Sequence, residues 1–292
     1  MIFEPMDRIV FAGDSVTDMG SAQPVGEGLF DNVGQSYVRI IENMLSTWYP
    51  EVYLRVTNSG VSGNTSRDLL QRFDSDVVAL NPDWVSICIG INDVWRQFDS
   101  PAIPDGQVMP EEYEANLEKM ILSVKGTVKG IFILTPYYME PNPQDWMRKR
   151  MDEYGAICKK LAVKHGCCLV DLQEVFNRYF EYRHSSYIAW DRVHPNLIGA
   201  TVIAKAFLSH CGFEYDHQPA KKRNADLLSG KVFTDFLLAQ IGGLGYNNAK
   251  CGCPCKNGRA KCKGSNPVRN LIEVKKYGII TAVERYGIRP AG

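Results

Sequence analysis

Five strand-like runs punctuate the chain up to Asp216, and each breaks off at a turn rich in Gly, Ser, Asn or Asp. They are "RIVFAG" from Arg8, "YLRVTNSG" from Tyr53, "WVSICIG" from Trp84, "KGIFILT" from Lys129 and "CCLVDL" from Cys167. Their length and β-branched or aromatic content predict strands, and the nearly unbroken apolar run from Trp84 predicts one covered on both faces. Helical spacing lies between them. From Tyr37, the residues Ile40, Ile41, Met44, Leu45 and Trp48 fall on one face. Pro110 followed by two acids opens a second helix that stops at Gly126. A third, from Met147, ends on basic residues and Gly166, and a fourth starts at Asn196 and closes at Gly212. This alternation predicts an α/β fold with a five-stranded parallel sheet, in which ligands bind at the C-terminal strand ends. The turns after the first three strands should therefore converge along one rim.

Composition adds a division. The 292 residues are 45% hydrophobic and 23% charged, as in a soluble globular protein. No apolar stretch approaches the ~20 residues a membrane helix needs, so no membrane partner is expected. The first residues lack the pattern of a signal peptide, which predicts a cytoplasmic protein. The chain is neutral in total, but residues 1–216 hold 19 Lys+Arg against 29 Asp+Glu, and residues 217–292 hold 14 against 4. Two bodies are expected: an acidic one over 1–216 and a basic C-terminal extension over 217–292. Nucleic acid is not expected as a ligand of the acidic body.

The candidate chemistry sits on the rim. Gly13-Asp14-Ser15 ends the first strand, and a serine there becomes a nucleophile once a base takes its proton. "WDRVHPN" puts Asp191 three residues before His194, a spacing that lets the carboxylate hold one imidazole nitrogen while the other faces outward. The backbone N–H of Ser15, the N–H of Gly63 and the side-chain amide of Asn92 are candidate donors to an oxyanion. Taken singly, each has a bland reading as a turn or helix cap. Their order, with three at strand ends, points to acyl transfer. Trp95 and Arg96, close after Asn92, Trp190 before Asp191, Asp14, and Tyr137 with Tyr138 after the fourth strand are candidate substrate contacts.

The four blocks "FAGDSVTD", "NSGVSGNTSRDL", "IGINDVW" and "DRVHPN" resemble those of the SGNH hydrolases, also called GDSL esterases. Val16 stands where the GDSL name has Leu. The wider stretches "GDSVTDMG", "PVGEG", "PDWVSICIGINDVWRQ" and "AWDRVHPN" resemble the acetyl-xylooligosaccharide esterases of Gram-positive bacteria. The resemblance covers about Arg8 to Asp216. It implies a flavodoxin-like three-layer α/β/α sandwich, a Ser15–Asp191–His194 triad and an oxyanion hole of Ser15, Gly63 and Asn92. It also implies an acetylated sugar or oligosaccharide as substrate, no cofactor and a homo-oligomer. A lysophospholipase or thioesterase with the same triad is the rival reading. No Gly-x-Ser-x-Gly surrounds a candidate serine, which sets the chain apart from the α/β-hydrolase lipases.

Nine cysteines divide into two groups. Cys88, Cys158, Cys167, Cys168 and Cys211 lie in or beside apolar segments and read as packing residues in a reducing compartment. Cys251, Cys253, Cys255 and Cys262 crowd into the extension. Four thiols could hold zinc, but the spacing lacks paired C-x₂-C hooks. A basic appendage without fixed structure, or a binding module for nucleic acid, an acidic surface or a partner, are the other readings of the extension. The resemblance does not reach it.

Overall fold

A computed structural model describes residues 1–28 and 30–219. The four extension cysteines from Cys251 to Cys262 therefore lie outside the described residues. Six strands form one sheet in the order β2-β3-β1-β4-β5-β6: β1 Arg8–Gly13, β2 Gly26–Glu27, β3 Arg55–Gly60, β4 Trp84–Cys88, β5 Gly130–Leu134 and β6 Cys168–Val170. The five expected strands are present and parallel. The sixth, β2, is an antiparallel edge of two residues on β3, too short to leave any alternation in the sequence.

Helices flank the sheet. They are α1 Ser15–Asp18, α2 Tyr37–Trp48, α3 Ser66–Asp76, α4 Ile91–Asp99, α5 Pro110–Val124, α6 Trp146–His165, α7 Leu172–Phe180 and α8 Leu197–Ser209. One group packs α2 and α7 on α8, and the other packs α3 and α6 on α5 with α4 on α6. Every residue of β1 is buried, as a central strand covered on both faces requires. Phe207 of α8 lies against Phe11 of β1 and Phe132 of β5, with ring centroids 5.2 and 4.6 Å apart. That aromatic stack seats the helix following the His194 loop directly on the sheet.

Register places the site. Gly13 pairs with Gly60 of β3 on one side and Cys88 of β4 on the other. Three strands thus end level, and the segments that follow them share one rim. The chain turns back so sharply after β1 that a Cβ on Gly13 would lie 2.2 Å from Thr17 Oγ1 and 2.5 Å from the Cys88 carbonyl. Glycine is needed there because α1 folds immediately over the strand end.

Cys88, Cys158 and Cys211 are buried and Cys167 and Cys168 half-buried, all as free thiols that pack rather than bridge. The described chain runs on to the start of the extension. His217 stacks on Tyr49 at 4.0 Å, and its Nε2 lies 2.7 Å from Glu51 Oε1. Among the described residues, no helix is long and apolar enough to cross a membrane.

Candidate active site

Ser15 opens α1, a helix of four residues, two positions beyond the end of β1. Asp14 supplies its cap, its Oδ1 accepting the Val16 N–H at 3.0 Å. The Asp14 carbonyl takes the N–H groups of Thr17 and Asp18. The Ser15 N–H has no partner among the described residues, so the helix start offers one free donor directly beside the Ser15 hydroxyl. Ser15 Oγ lies 2.8 Å from His194 Nε2, although 179 positions separate the two residues.

His194 is held by its own loop. Asp191 Oδ1 accepts the N–H groups of Val193 (3.0 Å) and His194 (2.9 Å), and Asp191 Oδ2 lies 2.6 Å from His194 Nδ1. Arg192 between them adopts φ 64°, a left-handed conformation that closes this tight turn. The turn is pinned from outside. The Arg192 carbonyl accepts the Met139 N–H at 2.9 Å, Arg192 pairs with Glu140 at 2.8 Å, and the Val193 carbonyl accepts the Tyr137 hydroxyl at 3.1 Å. Asn196 then caps α8 through the N–H groups of Ile198 and Gly199. Burial alone would raise the Asp191 carboxyl. The hydrogen bonds from the His194 ring and the two backbone amides outweigh it and hold the group below the usual carboxylate range.

The other two donors come from the segments after β3 and β4. Gly63 has φ +84°, and a Cβ there would meet nothing within 4 Å. Glycine suits this left-handed turn, a conformation that side-chain-bearing residues rarely adopt. Around it, Val61 N–H donates to Gly13 O, Ser62 N–H to Asp18 Oδ2 and Asn64 N–H to Val61 O. The Gly63 N–H alone in this turn has no partner among the described residues. Asn92 lies in the first turn of α4. Its Nδ2 donates to Asn64 O at 2.9 Å and its Oδ1 accepts from Arg96 at 3.3 Å. Those two contacts fix which end of the amide is NH₂ and leave its second N–H free among the described residues. Ser15, Gly63 and Asn92 thus each bring one unspent donor to the segments that register places side by side.

The candidate substrate contacts divide. Trp95 is half-buried with its ring 5.8 Å from the His194 ring. Arg96 sits 5.4 Å from the Trp95 centroid and is engaged by Asn92 and Asp99. Trp190 is 90% exposed and takes no part in the hydrogen bonds that hold the loop. Tyr138 is half-buried, and its N–H donates to Gln173 Oε1 at 2.8 Å. Two assignments are corrected. Tyr137 is 0% exposed, packed on Phe176 at 4.7 Å, and braces the histidine loop instead of meeting solvent. Asp14 is 1% exposed and serves as a helix cap beneath the nucleophile. Both follow strand ends in the sequence, but their side chains turn inward.

The residue reading also passed over Asp93, whose carboxylate takes the Ser66 N–H and hydroxyl at 2.9 and 2.5 Å and so ties α4 to the start of α3. A charged residue in the fully buried first turn of α4 was its signal. Asp14 and Asp93 are both pushed up to about 7, chiefly by burial. A raised carboxyl keeps its proton in the fold where the unfolded chain has released it. Stability therefore falls as pH rises from about 4 to about 7 and is level above that. Asp14→Asn keeps the cap and removes the buried charge. Its Tm should exceed that of the wild type by roughly 3 °C or more at about pH 8, the gap narrowing towards about pH 4. Equal offsets at both pH values in thermal melts would contradict the burial argument.

Comparison with known proteins agrees with this geometry. Residues 11–202 match the GDSL-like Lipase/Acylhydrolase family. An acetylxylan esterase of Geobacillus stearothermophilus is 47% identical over 209 residues, which span 72% of this chain and 95% of that protein. The crystal structure of Axe2, an acetylxylan esterase from the same organism, has a TM-score of 0.72 at 45% identity, covering 76% of this chain and 100% of its own. Three further Axe2 structures are described as catalytic mutants, S15A, D191A and H194A. Each has a TM-score of 0.73 at 45% identity with the same coverage. With a relative so similar over nearly its whole length and a match across most of the folded body, the chain belongs to the GDSL-like lipase/acylhydrolase family.

Proposed function

We propose that this protein is a serine esterase that removes O-acetyl groups from acetylated xylo-oligosaccharides through an acetyl-enzyme on Ser15. The observation that carries the reading is the unbroken chain from Ser15 Oγ to His194 Nε2 (2.8 Å) and from His194 Nδ1 to Asp191 (2.6 Å). With Nδ1–H donated to Asp191, Nε2 is left to accept the serine proton. The hydroxyl attacks the ester carbonyl as His194 takes that proton. Asp191 stabilises the imidazolium. The oxyanion is received by the N–H groups of Ser15 and Gly63 and by the Asn92 amide. Imidazolium then protonates the departing sugar oxygen, and water repeats the cycle to release acetate. The acetylxylan esterases among its relatives support the substrate class. The Trp95 ring beside His194 supports a sugar face as the leaving group.

The substrate test compares acetate release from acetylated xylo-oligosaccharides with hydrolysis of a C8 ester. The proposal expects kcat/KM at least about tenfold higher on the acetylated sugar. Faster hydrolysis of the C8 ester would favour the lipolytic alternative.

A further inference from the structure

Gly63 can hold an oxyanion only if the turn carrying it keeps its place relative to Ser15. That turn is short and sits between two charged side chains from different elements. On one side Ser62 gives both its N–H (3.2 Å) and its hydroxyl (2.6 Å) to Asp18 Oδ2. Asp18 is the last residue of α1, the helix that Ser15 begins. Its other oxygen accepts from the Ser21 N–H and hydroxyl, both at 3.0 Å, and from Gln23 at 3.1 Å. The carboxylate is thus fully engaged and 8% exposed.

On the other side Asn64 Oδ1 accepts from Arg72 Nε at 2.7 Å, while the Asn64 carbonyl accepts the Asn92 amide at 2.9 Å. The two terminal nitrogens of Arg72 donate to Gly13 O (3.1 Å), Ser59 O (2.9 Å), Ser59 Oγ (3.0 Å) and Asp76 Oδ2 (3.3 Å). A guanidinium has five N–H donors, and here all five are spent. One planar group therefore joins the end of β1, the end of β3 and the residue that bonds Asn92.

We propose that Asp18 and Arg72 are positioning residues that set the distance between the Ser15 nucleophile and the oxyanion donors of Gly63 and Asn92. The inference rests on the acyl-transfer reading. Neither residue touches substrate. Asp18 ties the Gly63 turn to the nucleophile's own helix, and Arg72 ties it to the strand beneath that helix and, through Asn64, to Asn92. A lysine at position 72 offers three donors from a single point and cannot span the same acceptors. The expected signature is a loss in kcat with substrate binding kept, because a displaced oxyanion donor is missed mainly in the transition state.

The test uses 4-nitrophenyl acetate, which needs acyl transfer at Ser15 but no sugar recognition. Arg72→Met should lower kcat by about 10- to 100-fold with KM within about threefold, and Arg72→Lys should recover only a small part. In the Asn92→Ala background the Arg72→Met penalty should shrink, since part of what Arg72 positions is already gone. Asn64→Ala removes only the link between guanidinium and turn, and decides the matter if Arg72→Met fails to fold. It should cost about tenfold in kcat at a similar KM. A Ser15-dependent wild-type rate with kcat unchanged in these variants would overturn the inference alone, as would penalties fully additive with Asn92→Ala. A wild-type rate equal to that of Ser15→Ala would overturn the acyl-transfer reading and the inference together.

Discussion

Ser15→Ala should lower turnover of acetyl esters by about 10⁴- to 10⁶-fold, the scale on which loss of an activated serine acts in serine hydrolases. The size follows from what the hydroxyl does. Without it there is no group to carry the acetyl, and the remaining route is direct attack by a water that nothing positions. The oxyanion donors remain, so the residual rate stays above that in free solution. The fold should be untouched because, among the described residues, the Ser15 hydroxyl makes a single hydrogen bond, to His194, and the cap of α1 belongs to Asp14. Steady-state rates on an acetyl ester, with circular dichroism to confirm the fold, check the expectation. A folded variant that keeps a tenth of the wild-type rate would contradict it.

Asp191→Asn should cost about 10⁴-fold in kcat with the loop intact. The amide oxygen can still take the backbone N–H groups of Val193 and His194, which anchor Oδ1 in the wild type. That leaves NH₂ facing His194 Nδ1. The ring must then carry its proton on Nε2, the nitrogen 2.8 Å from Ser15, and can no longer accept the serine proton. The loss is one of tautomer rather than structure. KM and Tm should change little while kcat collapses. A kcat within tenfold of the wild type would show that Asp191 has no part in orienting the base.

Much of this was legible before coordinates, and the remainder was hidden for definite reasons. β1, β4 and β5 announce themselves as apolar runs, because strands buried on both faces have little choice of residue, whereas β3 is largely polar and β6 half-buried. Ser15, Gly63 and Asn92 stand in order after the ends of β1, β3 and β4, and the Asp191–His194 pair follows in the loop before α8, so the order of the site could be drawn from spacing. The edge strand β2 and the helix α1 are too short to have a period. Tyr137 and Asp14 were misread because position after a strand says nothing about the direction of a side chain. Burial decides that, and it turned one into a brace and the other into a cap. Arg72 was hidden more deeply. Its acceptors lie 4, 8, 13 and 59 positions away. No local pattern records them. At Gly63 the structure adds a backbone reason that spacing does not show, a turn that demands a positive φ.

The central claim is that the first step leaves an acetyl group on the Ser15 oxygen. Rapid quenching of the enzyme with excess acetyl ester, followed by mass spectrometry of the peptide holding Ser15, tests it most directly. The account predicts one added acetyl on that peptide in the wild type and none in Ser15→Ala. Acetate release at full rate with that peptide unmodified, or with the acetyl found on another residue, would contradict it.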